Sequence, residues 1–303
     1  MTDPGAMEQL RKILTVEQLP AMPHSALTVL QLDSNLSKVN IDNLVRPIEA
    51  DPGLAAQVLK FLNSSYFGFQ SSISNVKQGI ALVGIRIVKN FVLWKAVFSL
   101  IPKSRGGNFD VNALWQDSLR RAMFSRFALL DLKKGDPEMA FAGALLQDMA
   151  LPLLLKQRPQ EYGAVLAMLA PPNDERLSTL EEATFGWNHA DAASFLGRNW
   201  KLPDQLVVLL ENHLRLDDCA AEAQTQPELF TVALSSLLPM AVREDWLEKE
   251  RFMKNLQHLF PSATLKSVEA MFEKIDKGFE EYAMIIQIAK PKKTLVSYLE
   301  EKA

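Results

Sequence analysis

The chain of 303 residues contains one cysteine, Cys219. That excludes an internal disulfide framework and leads us to expect a reducing compartment, the cytoplasm. Long apolar runs are also missing. Ile80 to Leu93 comes nearest, and Arg86 and Lys89 interrupt it, so we expect no membrane span. The opening MTDPGAMEQLRKIL lacks the apolar stretch of a secretory signal. Neither sign of charge dominates. A net charge of -3 and a pI near 5.9 leave no polyanion footprint, so no nucleic-acid partner is expected. Alternating strand patterns and Asn-Gly hairpin signals are absent. So are a glycine-rich phosphate loop, a Gly-x-Ser-x-Gly elbow and a Cys-x-x-Cys pair.

What remains is helical. Hydrophobic content of 48% and charged content of 23% are ordinary for a globular chain. The stretch Asp51 to Leu100 organises the rest. Asp51-Pro52 is a helix start, a carboxylate cap followed by a proline whose missing N–H costs nothing there. Leu54, Val58, Leu59 and Leu62 follow on one face. Asn63-Ser64-Ser65 ends that helix, and Tyr66-Phe67-Gly68-Phe69 forms an aromatic corner. A second helix is expected over Ile73 to Val83, with Gly84 as a left-handed cap. Ile85 to Leu100 is apolar nearly all round, as a buried helix should be.

The fold class expected is all-α: two helical lobes, residues 1–101 and 110–214, with further helices at 227–303. The break at Pro102 to Asn108, with Gly106 and Gly107, separates the lobes. Before the opening stretch, helices are expected over Met7 to Leu19 and Ser25 to Leu32. Another runs over Ile41 to Ala50, capped by Asn40 and interrupted by Pro47. In the second lobe, helices are expected from Asp110 to Leu132, from Glu138 to Leu155 after Asp136-Pro137, and from Pro159 to Leu169. A loop at Pro171 to Asp174 precedes a helix opened by Thr179, with Glu181 and Glu182 in its first turn. Asn188 caps His189 to Trp200, and Pro203 opens a helix to Leu214. Asp217 to Gln226 reads as a linker. Pro227 to Val242, Glu244 to Phe260, Ser262 to Ile288 and Thr294 to Glu300 complete the chain.

Chemistry has few carriers. Asp117, Asp148, His189 and His213 each sit on or near an apolar helix. They read either as ligands converging on a metal or as caps and surface polar groups. No close pair such as His-x-x-x-His selects the first reading. His24 and His258 read as structural or solvated, and Cys219 as a free thiol in the linker. Trp187 and Trp200 read as core or as a binding platform. Tyr66, Phe67 and Phe69 carry the same ambiguity at their corner and are the candidate contact surface.

Several segments carry a family resemblance. LPAMPHSALTVLQL, IEADPGLAAQVLKFLNSSYFG and ISNVKQGIALVGIRIVKN come first. LWQDSLRRAMFSRFALL, AFAGALLQDMALPLLL and FGWNHADAASFLGRNWKLPDQLVVLLENH follow. Together, over roughly Leu10 to Leu214, the chain resembles the HDOD (HD-related output domain) family of bacterial signalling proteins. The resemblance implies an all-helical fold related to HD-superfamily metal phosphohydrolases, and a regulatory role without an established general activity. It also implies where a metal would sit. The first histidine of the HD pattern falls at Asp117, the His-Asp doublet at Gln147-Asp148, and the last Asp near Ser235-Ser236. His189 matches a histidine common in the family. His213 matches the second of a His-His pair whose first member is Asn212 here. Asp117, Gln147, Asp148, His189 and His213 are thus expected to be a vestigial site, with no metal and no cofactor. The function expected is a non-catalytic output module that binds a signalling protein or a small nucleotide. The alternative is a divergent metal-dependent phosphohydrolase acting on a nucleotide or cyclic dinucleotide.

Overall fold

The computed structural model describes residues 4–15, 20–30, 40–100, 109–169, 173–286 and 288–300. Among these residues every regular element is a helix and none is a strand. The N-terminal helices are α1 (Pro4–Ile13), α2 (His24–Leu30), α3 (Ile41–Glu49), α4 (Pro52–Leu62), α5 (Val76–Val83) and α6 (Ile85–Leu100). A 3-10 turn, Ser65–Phe67, follows α4. The central helices are α7 (Val111–Leu132), α8 (Pro137–Leu146), α9 (Leu151–Gln157), α10 (Pro159–Ala167), α11 (Leu177–Phe185), α12 (His189–Asn199) and α13 (Asp204–Asn212). After them come α14 (Leu216–Cys219), α15 (Pro227–Ser235), α16 (Lys249–Leu256), α17 (Leu265–Ile286) and α18 (Leu295–Glu300).

The helix starts follow from local chemistry. Asp51, Asp110 and Asp136 each accept backbone N–H groups of the first turn they precede, and Asn188 forms a full capping box with Asp191. The helix expected from Ile73 begins instead at Val76, because Asn75 takes the cap and accepts Gln78 N–H at 2.7 Å. Gly84 joins α5 to α6 with φ 97° and ψ 152°. That is a positive φ but not the left-handed helical cap expected, and only glycine tolerates it. Pro47 leaves α3 intact for two further residues. The expected break at 102–108, the prolines at 171 and 172, and the ends of the helices expected to reach Leu19 and Leu32 lie outside the described residues.

Helix α7 is the axis of the molecule. It packs on α8, α15 and α17, and α8 in turn touches α6, α13 and α15. The N-terminal helices meet this centre through a polar seam. Arg86 pairs with Asp136 at 2.7 Å, Asn90 donates to the Glu138 carbonyl at 2.8 Å, and Arg126 pairs with Glu138 at 2.7 Å.

Three expectations fail for physical reasons. The helix expected over Glu138 to Leu155 is broken at residues 147–150. Pro152 explains it: a proline has no N–H for the carbonyl four residues back, that of Asp148, and its ring collides with it. The expected linker is folded, as α14 and a 3-10 turn over Ala220–Glu222, and Cys219 is buried. The helix expected over Pro227 to Val242 stops at Ser235. The apolar stretch closest to a membrane span is Pro137–Gln157 rather than Ile80–Leu93, and 83% of its most apolar window is buried inside the protein.

Candidate functional site

The break caused by Pro152 leaves Asp148 in the turn between α8 and α9. Its carboxylate, the His189 imidazole at the start of α12 and the His213 imidazole just past α13 come together. One ligand atom from each lies within 4.8 Å of the others, and all three residues are buried. His189 Nε2 and His213 Nε2 are each 3.6 Å from Asp148 Oδ1. The imidazole rings are 5.2 Å apart, centre to centre.

Both imidazoles are fixed from behind. His213 Nδ1 lies 2.7 Å from the Leu210 carbonyl, which only accepts, so Nδ1 carries the proton and Nε2 is left with a lone pair in the neutral ring. His213 Nε2 is buried with no hydrogen-bond partner. His189 Nδ1 lies 2.6 Å from Glu181 Oε2, and the same oxygen accepts the His189 backbone N–H at 2.9 Å. Tyr162 donates its hydroxyl to the other Glu181 oxygen. Burial acts against a charged His189, but Glu181 outweighs it and holds the imidazole above its ordinary range. Burial pushes His213 the other way, below its ordinary range.

The free oxygen of the carboxylate has its own partner. Arg121, from α7, donates Nη1 to Asp148 Oδ2. Burial alone would raise the Asp148 carboxyl. The Arg121 guanidinium, the strongest of the opposing influences, overcomes it and holds the carboxyl well below its usual range.

The remaining expected positions border this centre. Asp117, one turn before Arg121, accepts the Ala241 N–H at 2.8 Å and is not part of the three-donor set. Burial pushes its carboxyl up to about 6 despite Arg121. Gln147 is fully buried, and its Oε1 lies 3.3 Å from Ser235 Oγ, while its Nε2 has no partner. Ser235 thus brings a hydroxyl against the Gln147 amide. The corner residues lie elsewhere. Tyr66 accepts from Arg126 at 2.5 Å and sets its ring edge-on to Tyr282; Phe67 packs edge-on to Phe61. Both are half-buried, and Phe69, stacked on Phe67, is exposed. Trp187 and Trp200 are core residues.

Sequence reasoning missed Arg121, Glu181 and Tyr162. Glu181 is not a surface carboxylate favouring a helix dipole but a fully buried acceptor. The signal for Arg121 was its spacing, four residues after Asp117 and so on the same face of α7.

Residues 19–216 match the sequence family described as the HDOD domain. Among solved structures, a candidate signal transduction protein of Marinobacter aquaeolei VT8 superposes with a TM-score of 0.70 at 18% identity, covering 94% of this chain and 64% of that one. An HDOD domain protein of unknown function from Geobacter sulfurreducens gives 0.68 at 17% identity, covering 94% and 98%. A candidate phosphohydrolase of Shewanella amazonensis SB2B gives 0.63 at 17%, covering 97% of each. At these identities the likeness is one of fold. The chain spans 42% and 26% of the length of two curated relatives that it matches at 20% and 34% identity.

Proposed function

We propose, for a chain that belongs to the HDOD domain family, that it acts as a non-catalytic regulatory module of bacterial signal transduction. It works in the cytoplasm by binding a signalling protein or a small ligand. The single observation that carries this reading is the buried pair between Arg121 and Asp148. The carboxylate a hydrolytic metal would need already has a cation on it.

The residues present do not fit a resident hydrolytic metal. Such a metal must hold a water and lower its pKa, which takes a fixed ligand set with an open position. Here Gln147 stands in place of an imidazole, and an amide is a poorer ligand beside neutral histidine. Ser235 brings a hydroxyl where the pattern calls for a carboxylate. Asp117 is turned to the Ala241 N–H.

The alternative is a divergent metal-dependent phosphohydrolase acting on a nucleotide or cyclic dinucleotide. One observation favours it: Asp148, His189 and His213 converge. The test is turnover. The purified full chain, given Mn²⁺ or Mg²⁺ and a panel of nucleotides and cyclic dinucleotides, should release no product above a protein-free blank. Turnover that disappears in Asp148→Ala would establish the alternative.

A further inference from the structure

We infer that Arg121 is the fixed cation of this centre: its guanidinium supplies the positive charge that the buried Asp148 carboxylate demands, and thereby keeps a divalent metal ion out. The inference rests on the non-catalytic reading above.

The geometry sets the demand. Asp148 Oδ1 faces His189 Nε2 and His213 Nε2, at 3.6 Å each. Those separations are too long for hydrogen bonds. With Nδ1 of His213 donating to Leu210, its Nε2 is an acceptor aimed at a carboxylate. Acceptors that converge in a water-poor interior repel unless a cation or a proton sits with them. Donors bonded to a zinc-like ion at ~2.0–2.1 Å would stand roughly 3.4 Å apart on a tetrahedral edge, close to the two separations from Asp148 Oδ1, 3.6 Å each, within a set that spans up to 4.8 Å. The supporting bonds are those that orient metal-bound imidazoles, a carboxylate behind one ring and a backbone carbonyl behind the other.

Arg121 meets the demand from the far side of the same carboxylate. It is buried, it bonds Asp148 Oδ2, and Asp117 lies one turn earlier on α7. Arg176 adds further positive charge near Asp148. An ion sharing Asp148 would sit one carboxylate away from the Arg121 guanidinium, and like charges at that range repel strongly where water is scarce. Without Arg121, the same three donors would be a ligand set lacking only its ion.

Metal uptake tests the inference without reference to turnover. Wild type and Arg121→Met, both full-length, are titrated with Co²⁺. Binding is followed by visible absorption and by the shift in melting temperature. Arg121→Met should bind one Co²⁺ per chain, at least about tenfold more tightly than wild type, because the like-charge repulsion is gone. Its melting temperature, lowered by an unpaired Asp148, should recover on adding the ion. Arg121→Met/His213→Gln should lose both effects, and Arg121→Lys, which keeps the charge, should behave as wild type. Stoichiometric Co²⁺ binding by wild type, abolished by His213→Gln, would overturn the inference. So would a folded Arg121→Met that binds no ion, or one that stays unfolded by circular dichroism with and without Co²⁺. Co²⁺ binding by wild type without turnover would strike this inference alone, whereas metal-dependent turnover would strike the functional reading as well, so the two failures are distinguishable.

Discussion

The helices around Phe61 and the cluster around Asp148 are both buried, and they are held by different forces. Val58, Phe61, Leu62, Val88 and Val92 are closed to solvent, and Phe61 stacks on Phe91 at 4.3 Å. Here stability is roughly additive in apolar area, and any side chain of similar volume preserves most of it. Around Asp148 the interior is polar. Its charged groups are met by named partners, Arg121 for Asp148, Glu181 for His189 and Tyr162 for Glu181, while Gln147 Nε2 and His213 Nε2 have none. One core is governed by volume, the other by pairing.

The largest effects should expose that difference. Asp148→Ala leaves the Arg121 guanidinium buried without its counter-ion and should cost ~3–5 kcal/mol in urea unfolding. Phe61→Ala should cost a similar ~3–5 kcal/mol through lost transfer and a cavity. The two part company at the second substitution. Replacing Asp148 and Arg121 together by leucine should recover much of the loss, since a buried pair exchanged for apolar side chains is often neutral. No second polar-to-apolar change can refill the space left by Phe61. A double variant no more stable than Asp148→Ala would collapse the comparison.

Next in size is a pH effect confined to the polar core. Asp117 titrates at about 6 in the folded chain, above its ordinary 3.8. Between those values the folded chain keeps a proton that the unfolded chain gives up. Stability therefore falls as pH rises through that window, by up to ~3 kcal/mol at about 1.4 kcal/mol per unit. Asp148 has the opposite sign. Its carboxyl is held low, so its contribution is present above the ordinary carboxylate range and is lost as pH falls through and below that range. Asp117→Asn keeps an oxygen for the Ala241 N–H and should be near neutral at pH 4 but stabilising at pH 7.5. Equal effects at both pH values would show that Asp117 is ionised at no cost.

A smaller effect tests the apolar side. A Cβ on Gly79 would collide with the buried Leu62 side chain, so Gly79→Ala displaces that side chain within the core and should cost ~1–3 kcal/mol at every pH. A strong pH dependence would mean that the two cores are coupled.

The same contrast explains what was legible in the sequence. Helix starts at Asp51, Asp110, Asp136 and Asn188 could be read because a cap acts within one turn. Buried faces on α4 and α6 followed from periodicity. Asp148, His189 and His213 stood out as chemistry-bearing side chains on or near apolar helices and the family pattern gave them places in a metal site, but nothing local announces that they meet. Glu181 was misread because a carboxylate in an early helical turn is ordinarily solvated; only the tertiary approach of Tyr162 and His189 makes it a buried acceptor. Pro152 was the overlooked local signal. It breaks α8 from α9 and so presents Asp148 to its partners.

The smallest effect on stability concerns the surface. Of the aromatic corner, Tyr66 and Phe67 are half-buried and engaged with Tyr282, Arg126 and Phe61. Replacing either disturbs packing as well as any contact, so neither reports cleanly on binding. Phe69 is exposed and touches the corner through its stack on Phe67, with ring centroids 5.8 Å apart. Phe69→Ala should change unfolding free energy by no more than ~0.5 kcal/mol, the usual range for a surface position. If the corner is the contact surface of a regulatory module, the same substitution should weaken partner binding by tenfold or more, roughly what an aromatic anchor contributes. Calorimetric titration with an identified partner reads the affinity, and urea unfolding of the same samples reads stability. Unchanged affinity with unchanged stability would remove the corner from the binding surface and leave Phe69 as an ordinary exposed ring.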